Sequence, residues 1–443
     1  MRRSTPRSEA APATRLRSSH RPPRAAIEAL AEAFARRFPP TLGGLRRIGR
    51  EAEFPLVWPD GRAGDAALLW EPLLAEGGGR IAYDDPAGRR LTVRVDLGQV
   101  GYEVEMGRAT VEVVLPPVED LHQLDALSAT AVGRLVRAAA SRGMVVLGYG
   151  VQPRTPGSVA LMTPKARYVA LYRAIGRPWL HFTTTASDQL QVDIARSELP
   201  DVINALNLLS GPIIALTANS SVYAGRVGRY ASGREGLLAA LGAHRHGMIP
   251  RRYATLEEFL TFICGQTCYV LRDSTGFAPY GRPFTSYLAT HGPDLEAYLW
   301  HEHYTWNSAR PRAHHATIEI RPACQQPPDE GLAAAALSLG LVEAWPRAWA
   351  FVCDRLGPDP WPAMEAYRED AVRRGLRARE PLPGLLEGLA DLCEDALRRR
   401  GRGEEGFLRP IRRRLETRLL PADRAVRLFR SGGLRALIEG LRF

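Results

Sequence analysis

Gly49-Arg50-Glu51-Ala52-Glu53-Phe54 sets two acids two residues apart in a strand-like segment that runs from Arg47 to Val57. Along an extended chain side chains alternate between faces, so Glu51 and Glu53 share one face while Ala52 and Phe54 take the other. Tyr102-Glu103-Val104-Glu105-Met106 repeats the arrangement, and single acids sit in Val111-Glu112-Val113-Val114-Leu115 and Thr317-Ile318-Glu319-Ile320-Arg321. Gln189-Leu190-Gln191-Val192-Asp193-Ile194 alternates polar with aliphatic residues. A half-exposed antiparallel strand shows such alternation simply because one face meets water. Five segments whose polar faces nearly lack Lys and Arg before Arg321 say more. Acids gathered on one sheet face repel one another and need a cation to hold them. Mg²⁺ prefers carboxylate and amide oxygens and commonly works beside substrate phosphates, and an arginine two residues from a ligating Glu can grip a phosphate bidentately. The residues therefore point to a Mg–ATP site on an open antiparallel sheet.

Working outward, further strand patterns cover Ile81–Tyr83, Leu91–Leu97, Thr110–Leu115 and Met144–Tyr149, and a long one covers His181–Ile194. Helical spacing marks Ala25–Arg37, Leu121–Arg142, Thr163–Ile175, Asp201–Leu216 (broken near Gly211-Pro212) and Thr255–Val270. Residues 217–235 read as a polar loop rich in Gly and Arg, and several helices fill 330–440. Strands that follow one another without parallel crossovers give an α+β class with a mainly antiparallel sheet. Residues 1–24, rich in Arg, Ser and Pro, read as a disordered basic tail. The remainder, 25–443, reads as one catalytic domain with a helical buttress from about 330.

Composition narrows the alternatives. With 45% hydrophobic and 24% charged residues, the 443-residue chain is neither fibrous nor mostly disordered. It has no apolar run of membrane-spanning length and no secretory leader pattern. Five cysteines, an odd number spread widely, suit a reducing cytoplasm better than a disulfide framework. Cys264 and Cys268, four apart, read as buried small residues, and His301-Glu302-His303 lacks helical zinc spacing. The net charge of +11 suggests nucleic acid, but residues 1–25 alone hold seven arginines against Glu9, and Arg398–Arg430 adds a second basic stretch. No RNA- or DNA-binding motif accompanies them. Lys165 is the only lysine, and Arg398-Arg399-Arg400 and Arg412-Arg413-Arg414 read as solvated faces. Gly-Gly-Gly at 77–79 lacks the Lys-Ser/Thr of a phosphate loop.

The order of these motifs resembles the glutamate–cysteine ligase family in its plant-like and actinobacterial branch. Gly49-x-Glu51-x-Glu53 is similar to its opening metal-binding strand. Val111-Glu112-Val113 before Pro116-Pro117 resembles its second acidic strand, and Met162-Thr163-Pro164-Lys165-Ala166-Arg167-Tyr168 its Met-Pro-Lys-x-Arg-Tyr stretch. Thr184–Asp193 is similar to its Thr-x-Gln-x-x-x-Asp strand. Asn219-Ser220-Ser221 with Gly225 and Ser232-x-Arg234 resembles its Asn-Ser-Pro loop, and Glu319-x-Arg321 its terminal strand. Departures include Ser221 in place of Pro, Cys324 in place of Asp, and the histidine-rich stretch 300–312.

The resemblance implies a saddle-like antiparallel sheet of the glutamine synthetase and guanidino kinase type, covered by helices. It implies an ATP- and Mg²⁺-dependent (or Mn²⁺-dependent) carboxylate–amine ligase. A carboxylate takes the γ-phosphate of ATP to form an acyl phosphate, which an amine then displaces. By resemblance Glu51, Glu53, Glu112, Gln189 and Glu319 are metal-site residues. Arg321 contacts phosphate as a catalytic and nucleotide-binding residue, Arg234 and Asn219 bind nucleotide, and Arg167 lies near the carboxylate substrate. A sixth acid depends on the hairpin: a two-residue loop at Gly107-Arg108 faces Glu103 to Glu112, while a four-residue loop pairs Glu105 with it. Glu105 is the preferred reading. The substrates implied are small amino acids, glutamate and cysteine foremost. A specialised amide ligase with another acid or amine is the alternative, and a non-catalytic basic nucleic-acid-binding protein on a ligase scaffold is the alternative of another class.

Overall fold

The computed structural model describes residues 23–77, 79–84, 90–274 and 276–443. Among the described residues nine strands build its central sheet: β1 (Ile48–Val57), β2 (Arg80–Asp84), β3 (Leu91–Leu97), β4 (Val100–Val104), β5 (Thr110–Val118), β6 (Val145–Val146), β7 (Asp188–Asp193), β8 (Ala309–Arg312) and β9 (Thr317–Ile320). Their order is β8-β9-β7-β1-β5-β4-β3-β2, with β6 pairing on β1 beside this path. Every pairing within it is antiparallel, as the succession of strands requires. The acid-bearing β1 lies between β5 and β7, so its neighbours come from both sides of the chain.

Alternation on β1 decides the layers. Ala52, Phe54 and Leu56 are buried on the face covered by the helix Leu121–Ala140, each large apolar side chain contributing about 1.5–3 kcal/mol by leaving water. That helix starts where it does because Asp120 accepts a hydrogen bond from the Gln123 amide at 2.9 Å. Arg50 shares the apolar face, and its charge is met there. It pairs with Asp188 at 2.7 and 2.9 Å and donates to Ser128 Oγ and the Gly331 carbonyl. Beyond the sheet the Ala-rich helix Ala333–Leu356 is buried on nearly all sides in its first half. Its Gly340 leaves room for Cys393, which a Cβ would approach at 2.7 Å.

Several expectations are corrected. His181–Ile194 is not one strand: a 3-10 turn, Arg177–Thr183, precedes β7, because Thr183 and Thr184 hydroxyls bond back to the Leu180 and His181 carbonyls. The helix predicted over Thr255–Val270 stops at Gly265, and Thr267–Asp273 pairs with Gly276–Pro283 as a hairpin. The β-branched and aromatic residues after Gly265 favour the strand. Met144–Tyr149 shortens to the two residues of β6. The helix break expected near Gly211-Pro212 is present, at Leu209. The 217–235 loop holds a small hairpin, Val222–Tyr223 with Arg226–Val227, and the start of the helix Gly233–Leu238. The first helix begins at Arg24, inside the predicted tail, and residues 1–22 of that tail lie outside the described residues, as does Gly78. Arg400 and Arg414 are not solvated. Arg400 is buried against Glu404 (2.6 Å) and Glu343 (2.5 Å), and Arg414 is buried against Glu330. All five cysteines are free, and only Cys353 is not fully buried.

Candidate active site

Five strand segments bring their polar faces together. Register places Glu53 of β1 opposite Glu112 of β5, Glu51 opposite Gln189 of β7, and Glu319 of β9 opposite Gln191. Glu53, Glu105 and Glu112 each offer a carboxylate oxygen, all within 4.8 Å of one another. Gln189 donates through Nε2 to Glu53 (3.1 Å) and Ser187 Oγ (2.8 Å), while its Oε1 is buried with no partner among the described residues. The Ser187 amide also donates to Glu53, at 2.7 Å. An orphaned amide oxygen beside three converging carboxylates is a donor set suited to a hard divalent ion.

The electrostatics show what this crowding costs. Burial, followed by the charges of Glu51, Glu105, Glu103 and Glu53, pushes the Glu112 carboxyl well above its usual range. Glu53 is pushed up to about 6 by burial and by Glu105, against the pull of Arg234 and its Ser187 hydrogen bonds. Glu51, whose Oε1 accepts from Gln191 Nε2 at 2.7 Å, is pushed up to about 7 by burial and Glu319, opposed by Arg312, Arg321 and Arg310. Burial and mutual repulsion thus shift all three acids towards their protonated forms, which a bound cation would oppose.

The hairpin question has a two-part answer. Glu103 stands opposite Glu112, the register of the two-residue loop, so the four-residue pairing expected for Glu105 is wrong. Yet Glu105 joins the acid group. The reason is Lys165, the only lysine, whose buried ammonium binds Glu103 at 2.7 Å, leaving Glu105, next along the same face, turned to Glu53 and Glu112. The 161–165 segment pins this turn. Thr163 bonds the Glu105 carbonyl (2.6 Å) and the Met106 carbonyl (2.9 Å), and Arg108 N–H bonds the Leu161 carbonyl. Gly107 is needed here because a Cβ would stand 2.0 Å from the Thr183 carbonyl oxygen.

Glu319 goes elsewhere. Although burial alone would raise it, Arg310, Arg321 and Arg312 hold its carboxyl well below the usual range. It pairs closely with Arg310, with Arg321 at 2.7 Å and with Arg312 at 3.9 Å, so the structure places it with arginines rather than in the metal-sized group. Burial, and then the guanidinium groups of Arg310 and Arg234, push Arg321 below its ordinary value against the pull of Glu319. Arg234 is buried, bonded to Glu235 at 2.5 Å, with its Nε unpartnered. Asn219 is braced in the core, both amide hydrogens going to the Gly148 and Gln325 carbonyls. Arg167 lies 3.7 Å from Glu103 and lines a cleft of about 300 Å³ with Arg272, Trp300, Glu302, His303 and Arg312.

A model of the glutamate–cysteine ligase family 2 matches residues 47–440, from the start of the acid-bearing strands to the last helix. The chain belongs to that family. Among family members, the chloroplastic glutamate–cysteine ligase of Medicago truncatula is 26% identical over 336 residues, which cover 71% of this chain and 65% of that protein's length. The chloroplastic glutamate–cysteine ligase A of Oryza sativa subsp. indica is 24% identical over 380 residues, covering 79% and 74%. The crystal structure of the Francisella tularensis glutamate–cysteine ligase in complex with AMP superposes with a TM-score of 0.54 over 90% of this chain and 87% of that one, at 11% identity, and speaks for the fold.

Sequence reasoning missed Arg310 and Arg312, which flank Pro311 on β8 and face Glu319. Their two-residue spacing was a readable signal, overshadowed by the histidines just before them. It also gave no role to Lys165 or to Glu302, a buried acid whose Oε1 has no partner.

Proposed function

We propose that this family member is an ATP-dependent carboxylate–amine ligase that joins the γ-carboxyl of glutamate to the amine of cysteine. The observation that carries the reading is the convergence of Glu53, Glu105 and Glu112 beside the orphaned Gln189 oxygen. Mg²⁺, with Mn²⁺ as a substitute, fits these residues together with Glu51. When bound it neutralises phosphate charge in the transfer step. Residues 25–443 act as one catalytic unit, its sheet curved in the saddle-like manner of glutamine synthetase and its helices beyond 330 acting as a buttress.

The chain's own residues supply position and charge. Arg321, together with Arg234 through its unpartnered Nε, binds the nucleotide's phosphates, and Glu319 holds Arg310, Arg312 and Arg321 in line. Asn219 contributes by bracing the loop that leads into the helix carrying Arg234. Arg167, which lines the cleft, takes the carboxylate substrate. A carboxylate oxygen then attacks the γ-phosphorus, the bond to the β-phosphate oxygen breaks and ADP leaves. The amine displaces phosphate from the acyl phosphate with loss of a proton. Such catalysis rests on alignment and charge neutralisation. With its free cysteines, the protein is placed in the cytoplasm by this reading.

The test is direct. Purified protein with Mg²⁺, ATP, glutamate and cysteine should release one phosphate per γ-glutamylcysteine detected by mass spectrometry, and no phosphate with any amino-acid pair overturns the proposal. The cleft favours one second reading: its Arg272, Trp300, His303 and Arg312 lining suits an acid or amine other than these two, which a substrate screen with the same readout would reveal. The nucleic-acid reading is weaker, since Arg400 and Arg414 are spent on buried ion pairs.

A further inference from the structure

Strand register by itself would choose a different third acid. Glu53, Glu112 and Glu103 stand level on the neighbouring strands β1, β5 and β4, and the row ends on β3 with Arg94. Side chains directly opposed across an antiparallel pair lie within reach of each other, so Glu103 is the natural companion of Glu112. The carboxylate group holds Glu105 instead, whose Oε2 accepts from the Met106 amide at 3.0 Å. Three cations account for the exchange. Lys165 Nζ stands 2.7 Å from the Glu103 carboxylate, and guanidinium nitrogens of Arg94 and Arg167 stand 3.7 Å from it. Burial would raise the Glu103 carboxyl, but Lys165 and then Arg167 hold it below its usual range.

The ammonium is as constrained as the acid. Lys165 is buried just before the helix Ala166–Ile175, and Glu103 is its one carboxylate partner among the described residues. The Lys165 amide bonds the Thr163 carbonyl, and the Thr163 hydroxyl bonds the Glu105 carbonyl. The lysine is therefore tied to the chain segment that carries the third acid. A buried charge stripped of its partner is costly, so without Glu103 the ammonium would turn to the neighbouring carboxylates.

We propose that Glu103 is a positioning residue for the carboxylate cluster: it holds Lys165 away from Glu105 and Glu112 and so keeps their oxygens open to a divalent ion. This role rests on the reading of the cluster as a divalent-cation site. Mn²⁺ titration of the whole, nucleotide-free protein at pH 8, with the free ion measured by electron paramagnetic resonance, tests it. Wild type should bind Mn²⁺, and Glu53→Gln should weaken binding about tenfold or more. Glu103→Gln, which leaves the ammonium without its anion, should also weaken it about tenfold or more. Glu103→Gln/Lys165→Met removes both charges and should return to within about threefold of wild type. Lys165→Met alone should bind about threefold more tightly or better, because Glu103 then lends its charge to the cluster. Equal affinity in wild type and Glu103→Gln, or a double variant as weak as Glu103→Gln, overturns the role of Glu103 alone. Should Glu103→Gln not fold, Lys165→Met decides, and binding equal to or weaker than wild type overturns the role. No binding by wild type, or binding untouched by Glu53→Gln, removes the cation site and this role with it.

Discussion

Glu53 and Glu112 face each other across β1 and β5, and with Glu105 their carboxylate oxygens gather within 4.8 Å. Like charges this close and this buried work against folding, and that cost is retained on one face of a sheet whose other face is an ordinary apolar core. Glu112→Gln removes one charge without removing bulk. ATP-dependent phosphate release should fall about 10²–10³-fold, the scale expected when a preorganised electrostatic group is lost, while the melting temperature in EDTA at pH 8 should hold or rise. Activity close to wild type would remove Glu112 from the site.

Stability should depend on pH in a definite direction. Glu51 (about 7) and Glu53 (about 6) have folded-state values above the ordinary carboxyl value of 4.5. The folded protein therefore binds these protons more tightly than the unfolded chain does. The resulting stability is present below about pH 4.5 and is lost as pH rises through 6 and 7, by a few kcal/mol in all. Divalent cations compete for the same oxygens, so Mg²⁺ should raise the melting temperature more at pH 8 than at pH 5.5. Thermal scans across pH with Mg²⁺ or EDTA measure both, and a flat Mg²⁺ effect contradicts the assignment.

The opposite stability effect is expected at Glu319. Glu319→Gln leaves Arg310, Arg312 and Arg321 buried without their shared anion, and breaking a buried pair in this way costs about 3–5 kcal/mol. Denaturant titration should show that loss in EDTA, where Glu112→Gln shows none. If both variants are equally stable, Glu319 is not the anchor of the arginines.

Most of the sheet was legible because its strands alternate strictly, and period two needs no knowledge of partners. β1, β3, β5 and β9 fall close to their predicted bounds for this reason. Legibility failed where tertiary bonds outweighed local pattern. Thr183 and Thr184 turned a predicted strand into a helical turn by bonding backwards, and Arg400 and Arg414, polar in sequence, are buried because Glu404, Glu343 and Glu330 await them. The site divides likewise. Which acids exist was readable, whereas their split between a metal-sized group and an arginine-bound Glu319 depended on β8, whose arginines only the fold brings alongside.

Arg167 offers a test of the substrate side. Its guanidinium lines the cleft while 3.7 Å from Glu103. Arg167→Ala should raise the KM of the carboxylate substrate about 10–100-fold, the loss of one charge-assisted pair, with a smaller change in KM for ATP. A rise confined to ATP would move Arg167 to the nucleotide.

The strand order has a consequence for biosynthesis. Glu51, Glu53, Glu105 and Glu112 come from the first quarter of the chain, while Gln189 arrives with β7 and the arginine cage with β8 and β9, some 260 residues after Glu51. A polypeptide still emerging from the ribosome therefore exposes its mutually repelling acids long before the groups that complete their surroundings exist. The long-range pairing of β1 with β7 makes assembly intrinsically slow, and cations available during synthesis would shield the unfinished centre until the last strands dock.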